Sequence, residues 1–269
     1  MDNMQKIPVF FTFDANYLLA AKVAIHSMMK HASRQYWYEL YVFHTTLSPK
    51  AQQSLRNSLK EFTHTELHFI DVTQYNEKIK NFGTKAHYSK EIFYKLIATD
   101  VLPQYDRIIC SDVDVVFTGD FSPVFFMFPN EKFYYAGVGP VENSRMPYYR
   151  KDFSTTEMEI LEHEIAAGFL LINLKELRND HKQEEIINFY VNNYPRLRLP
   201  EQDCIILTCW PYIKYLPIDY SLPISFYRLN MNQRDFYQGN TEFAGDKATA
   251  LAKFNKLSLI HISEPTRPE

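Results

Sequence analysis

Glycine is scarce, with seven in 269 residues. No G-x-G-x-x-G and no Walker lysine loop is present, which excludes the dinucleotide fingerprint and the P-loop. The scarcity also argues against low-complexity or repeat architectures, and no internal repeat is visible. Cysteine is rarer still. Cys110, Cys204 and Cys209 are an odd set without zinc spacing, which fits reduced thiols in a cytosolic protein. Charge excess is lacking too: 29 Lys and Arg against 32 Asp and Glu leave −3, so no nucleic-acid partner is expected. No apolar stretch is long enough to span a bilayer. The opening MDNMQK runs straight into Ile7-Pro-Val-Phe-Phe11 without a basic and then apolar leader, so no signal peptide is expected.

Large apolar side chains, by contrast, are abundant. Hydrophobic residues make up 46% and aromatics 16%, enough for a full core in one large domain. The spacing predicts a strand at Ile7–Phe13, a polar turn at Asp14-Ala-Asn16-Tyr17 and a helix at Leu18–His31. A strand over 39–44, a helix opened by Ser48-Pro49 and a strand over 66–72 follow. A helix over 89–101 then carries Lys95. This β-α-β-α-β order predicts an α/β fold with a mainly parallel sheet and right-handed crossovers. Further on, strands are expected over 133–138 and 166–174, a short strand and turn over 215–222, and helices over 183–193 and 204–210. Residues 139–159 read as an irregular functional loop, and 224–248 as loop-rich.

The central stretch is Arg107-Ile-Ile-Cys110-Ser111-Asp112-Val-Asp114-Val-Val-Phe117. An apolar run reads as a buried strand, and it meets two carboxylates two residues apart. In extended chain such residues share a face, here at the strand's carboxyl end, where open α/β sheets hold ligands. Close carboxylates repel unless a cation lies between them, and oxygen ligands suit Mg²⁺ or Mn²⁺ together with substrate phosphates. A surface turn with two solvated acids is the plainer alternative. The Asp14-Ala-Asn16-Tyr17 turn could bond a ribose or base and stack on it, or simply cap the following helix. Lys95 could neutralise a phosphate, or be a solvated helix lysine.

Five motifs in order across about residues 7 to 222 resemble glycosyltransferase family 8, the retaining GT-A enzymes that include bacterial lipopolysaccharide galactosyl- and glucosyltransferases and are related to glycogenin. They are Asp14-Ala-Asn16-Tyr17 with Thr12 before it; His87-Tyr-Ser89 followed by Lys95; Asp112-Val-Asp114; Ala166-Ala167-Gly168-Phe-Leu-Leu-Ile-Asn173-Leu174; and Glu201-Gln202-Asp203. The resemblance implies a GT-A fold, Rossmann-like, with a mostly parallel central sheet flanked by helices. It implies a hexosyltransferase that moves galactose or glucose from a UDP-sugar to a cell-envelope glycan or glycolipid acceptor. By resemblance, Thr12, Asp14, Asn16, Tyr17, Lys95, Ser111, Asp112, Ala167, Gly168, Glu201, Gln202 and Asp203 contact the donor. Asp112, Asp114 and His261 hold Mn²⁺ or Mg²⁺, and Gln202 and Lys95 are the catalytic pair. Two positions depart from the pattern: Lys95 stands for an arginine and lacks its bidentate fork, and Ala166 stands for an asparagine.

The end, His261-Ile-Ser-Glu264-Pro-Thr-Arg267-Pro268-Glu269, follows the family's last motif loosely, with Glu264 in place of a glycine. The expectation is one GT-A domain over 1–256 and an atypical tail over 257–269 that reads as non-native. The family's basic, aromatic membrane-docking tail is expected to be missing, and the protein is expected in the cytoplasm or at the inner face of the membrane. A catalytically impaired sugar-nucleotide-binding relic and a nucleotidyltransferase are the alternatives.

Overall fold

A computed structural model describes residues 4–80, 89–139 and 151–221, with 259–261 as backbone. His87, most of the 139–159 loop and the 224–248 region lie outside them. The strands are β1 (Lys6–Thr12), β2 (Trp37–His44), β3 (Thr65–Asp71), β4 (Ile108–Ser111), β5 (Val115–Phe117), β6 (Tyr135–Val138), β7 (Phe169–Ile172), β8 (Ile213–Leu216) and β9 (Leu259–His261). The helices are α1 (Leu18–His31), α2 (Pro49–Ser58), α3 (Asn76–Ile79), α4 (Ala98–Val101), α5 (Thr155–Leu161), α6 (Leu174–Asn179), α7 (Lys182–Asn193) and α8 (Pro200–Cys209).

Seven strands form one sheet in the order β3-β2-β1-β4-β7-β6-β8, and β5 pairs with β9 in a separate ribbon. All pairings in the large sheet are parallel except those of β7, which runs against both β4 and β6. The mixed α/β architecture agrees with the GT-A expectation.

Period-two side-chain alternation divides the strands between two cores. On β1, Ile7, Val9 and Phe11 face the core shared with α1, whereas Phe10 faces the other side. Tyr38, Leu40 and Val42 of β2 follow β1's inner set, and Tyr41 and Phe43 turn to the opposite core. With both faces covered, the strands read as near-continuous apolar runs. Phe10 and Phe43 stack across β1 and β2, with centroids 4.8 Å apart.

Several boundaries differ from expectation. The 89–101 helix is a tight 3₁₀ run over Lys90–Ile97, followed by the single turn α4. Glu91 and Phe93 to Ile97 are all buried, so no solvent-facing stripe remains. Residues 166–174 give a shorter strand because Asn173 accepts from the Glu176 amide and caps α6. Part of the 139–159 loop is a helix, α5. Ser154 and Glu157 form a reciprocal capping box at its start.

Candidate active site

The order β3-β2-β1-β4 reverses between β1 and β4, and such a switch point opens a crevice at the carboxyl ends of the strands. Val9 pairs with Ile109 and Phe10 with Cys110. Two residues further on come Thr12, the last residue of β1, and Asp112, the first after β4. Because β7 is antiparallel, its entry also lies at this edge. Ser111 pairs with Phe169, and the Asp112 amide donates to the Gly168 carbonyl at 2.8 Å.

Burial alternates from 111 to 117. Ser111, Val113, Val115 and Phe117 are inside, while Asp112, Asp114 and Val116 are half-exposed. The two carboxylates thus occupy the accessible positions of an alternating run. Ser111 is buried and its hydroxyl donates to the Asp112 carbonyl at 2.9 Å.

After β1, the Thr12 hydroxyl donates to the Glu91 carbonyl at 2.8 Å and ties the strand end to the 3₁₀ run. Asp14 closes an Asx turn: its Oδ1 accepts from the Asn16 amide at 2.8 Å and its Oδ2 from Asn16 Nδ2 at 3.2 Å. Tyr17 is exposed at the turn's end.

Lys95 enters from the 3₁₀ run and is only 3% exposed. Its Nζ lies 2.7 Å from Asp112 Oδ1 and 3.3 Å from Glu201 Oε1, and donates to the Ala167 carbonyl at 3.0 Å. Burial works against the ammonium's charge, but Asp112 and Glu201 outweigh it and hold its pKa above the ordinary lysine value. The solvated-lysine alternative is therefore set aside. Glu201 sits in the first turn of α8, and its Oε2 is buried without a hydrogen-bond partner among the described residues. Such an acceptor is an open position for a hydroxyl-bearing ligand.

Gln202 follows on α8. Its Oε1 accepts from the Ala167 amide at 3.3 Å, and its Nε2 donates to Glu164 Oε2 at 2.9 Å. Asp203 is fully buried, and its Oδ2 accepts from the amides of Arg198 at 2.6 Å and Leu199 at 3.0 Å. Those contacts satisfy donors at the helix start, a role that the sugar-contact expectation for Asp203 did not include. Cys110, beneath the site, is fully buried, and burial pushes its thiol well above the ordinary range. It is therefore no nucleophile.

Lys95, Asp112, Ala167, Glu201 and Gln202 are thus brought together, with Thr12, Ser111 and Gly168 at the same sheet edge. Asp114 follows Asp112 closely in sequence. His261 is placed by its backbone opposite Val115, next to Asp114. Among the described residues no group of three His, Cys, Asp or Glu forms a metal cluster. The sequence reading missed Glu164. Its contact spans 38 residues and belongs to none of the five motifs.

A sequence model of glycosyl transferase family 8 matches residues 8–268. The chain belongs to this family.

Solved structures agree with the fold. The bifunctional glycosyltransferase WbbM superposes with a TM-score of 0.75 at 20% identity, over 98% of this chain and 47% of its own, so this chain spans about half of it. The galactosyltransferase LgtC, solved with donor and acceptor sugar analogues, gives 0.73 at 16% identity over 97% and 89%. GlyE of Streptococcus pneumoniae TIGR4 gives 0.67 at 17% identity over 98% and 56%. No curated protein sequence matches the chain. Membership in a glycosyltransferase family displaces the nucleotidyltransferase alternative.

Proposed function

We propose that this family 8 glycosyltransferase moves a hexose, galactose or glucose, from a UDP-sugar to a cell-envelope glycan such as lipopolysaccharide, with retention and with a divalent cation. The observation that carries this reading is the joining of Lys95, Asp112, Glu201 and Gln202 at the β1/β4 switch point, beside the Asp14–Tyr17 turn.

Charge makes the case for a cation. Among the described residues the buried Lys95 ammonium already faces two carboxylates, Asp112 and Glu201, and Asp114 follows Asp112 two positions on. A diphosphate entering beside Asp112 and Asp114 would be repelled by these carboxylates unless a positive ion accompanied it. Asp112 and Asp114 are oxygen donors on half-exposed positions, and Mg²⁺-type ions are commonly held by one or two carboxylates plus substrate phosphates. The donor set therefore fits Mn²⁺ or Mg²⁺, with His261 as the proposed third protein ligand. When bound, such an ion neutralises the diphosphate and steadies the charge that builds as UDP departs.

The chain's own groups do the rest. The Asp14–Tyr17 turn receives the nucleoside. Lys95 holds Asp112 in place and cancels part of the charge beneath the phosphates. Glu201 Oε2, without a partner among the described residues, accepts from a sugar hydroxyl. Gln202 presents its amide oxygen to the sugar. An amide is a poor nucleophile, so Gln202 stabilises an oxocarbenium-like state during front-face attack.

The test is UDP release from UDP-glucose, UDP-galactose and other sugar nucleotides, with Mn²⁺ and with EDTA. Release confined to UDP-hexoses with metal supports the reading. A folded chain that binds UDP yet releases none from any donor would favour the binding relic.

A further inference from the structure

The Gln202 amide is gripped at both ends. A backbone N–H can only donate, so the Ala167 amide requires oxygen on its side of the carboxamide. An ionised carboxylate can only accept, so Glu164 requires the NH₂ on the other side. The reverse orientation would set N–H against N–H and oxygen against oxygen. One of two amide rotations therefore survives. The Gln202 oxygen is held towards Ala167, whose carbonyl accepts from Lys95.

Glu164 is built into this position. It lies between α5 and β7, is 9% exposed, and its amide donates to the Leu161 carbonyl at 3.2 Å. Its neighbour His163 stacks on Trp210, with ring centroids 3.9 Å apart and planes 6° from parallel. The Tyr215 hydroxyl bonds the His163 carbonyl at 3.3 Å. The segment carrying the carboxylate is thus pinned before Glu164 by His163, and after it by the Ala166 amide, which donates to the Val138 carbonyl at 2.8 Å.

We propose that Glu164 is the positioning residue for Gln202: it fixes the carboxamide rotation that turns the oxygen to the reacting sugar, and its negative charge polarises that amide. A hydrogen bond to an ionised acceptor is stronger than a neutral one, and it pushes electron density along the amide to the oxygen. The oxygen thereby becomes a better partner for positive charge on the sugar. The inference rests on the reading that Gln202 acts at the sugar.

The experiment measures kcat and donor KM for Mn²⁺-dependent UDP release from the best UDP-sugar. It compares wild type, Glu164→Gln, Glu164→Ala, Gln202→Ala and the Glu164→Ala/Gln202→Ala double variant, with thermal melting of each. A misplacement of about 1 Å at a reacting centre can cost about 100-fold. Glu164→Ala should lower kcat by about 10- to 100-fold, with donor KM within about threefold. Glu164→Gln can rotate its own oxygen to Gln202 and loses only the charge, so it should fall between the two. In the Gln202→Ala background, Glu164→Ala should lower kcat no further.

If Gln202→Ala leaves kcat unchanged, the role of Gln202 fails and the inference falls with it. If Gln202→Ala lowers kcat but Glu164→Ala lowers it equally in both backgrounds, or not at all, Glu164 does not act through Gln202 and the proposal is overturned. Should Glu164→Ala fail to fold, Glu164→Gln decides: a kcat equal to wild type overturns it.

Discussion

Replacing Lys95 with methionine probes the site most directly. Methionine keeps an unbranched apolar stem and removes the charge and all three Nζ contacts. Breaking a buried pair from one side costs about 3–5 kcal/mol, because the abandoned charge stays where water cannot reach it. The two partners differ in this respect. The Asp112 side chain is 29% exposed and can be rehydrated. The Glu201 side chain is 10% exposed, and one of its oxygens already has no hydrogen-bond partner among the described residues. Most of the penalty therefore falls on Glu201, which places the expected loss near the lower bound, about 3 kcal/mol. Against a total stability of about 5–15 kcal/mol, this is a large fraction. In urea titrations followed by far-ultraviolet dichroism and by Trp37 and Trp210 fluorescence, the midpoint should fall by about 1 M if the slope is about 3 kcal/mol per molar. Removing the stranded acid as well, in Lys95→Met/Glu201→Gln, should recover part of the loss. A single variant within about 1 kcal/mol of wild type would show that neither carboxylate depends on Lys95, and the electrostatic account of the site would fail.

Asp114→Ala should abolish metal-stimulated UDP release while leaving the melting temperature near that of wild type; turnover with unchanged metal dependence would remove Asp114 from the ligand set. Glu39 is buried at the start of β2 and accepts from Lys6 at 2.6 Å and from the Tyr105 hydroxyl. Burial raises its pKa, but the two donors outweigh that and hold the carboxyl below its ordinary range. Its stabilisation is therefore present above the unfolded value of about 4.3 and is lost as pH falls through the folded one. Glu39→Gln should cost about 1–3 kcal/mol at pH 7, and the gap to wild type should narrow in urea melts below about pH 4; a gap that widens on acidification contradicts this. Ser154→Ala removes the capping box of α5, which should cost about 1 kcal/mol and about 2–4 °C of melting temperature; an unchanged melt would show that the box contributes nothing.

What the sequence revealed depended on the range of the interaction. The strands β1 to β4 were legible because apolar runs and turn residues are local signals. For Asp112-Val-Asp114 the period-two pattern was legible as far as exposure goes: both acids are half-exposed and Val113 between them is buried. The Asp14–Asn16 turn was foreseen as one of two options, and the structure forms its Asx hydrogen bonds. The α5 helix had a local signal as well, Ser154-x-x-Glu157, but it lay inside a polar, aromatic stretch that suggested irregular chain. The burial of Lys95 was not legible. Its partners Asp112, Ala167 and Glu201 are 17, 72 and 106 residues away, and no periodicity reports such distances. Glu164 was hidden for the same reason. The reversed direction of β7 was equally invisible, since a short apolar run looks alike in either orientation.

That reversal shapes how this protein can diverge. Strand β7 enters the sheet at its business end, so the carbonyls of Ala167 and Gly168 and the amide of Ala167 reach Lys95, Asp112 and Gln202 without any side chain of their own. Exchanging one ordinary residue for another cannot delete a main-chain group. The polar scaffold these positions offer therefore does not depend on their side chains, although Ala167, buried in the core, still limits the size of what can replace it. Proline is the exception: at position 167 it would erase the N–H that donates to the Gln202 oxygen.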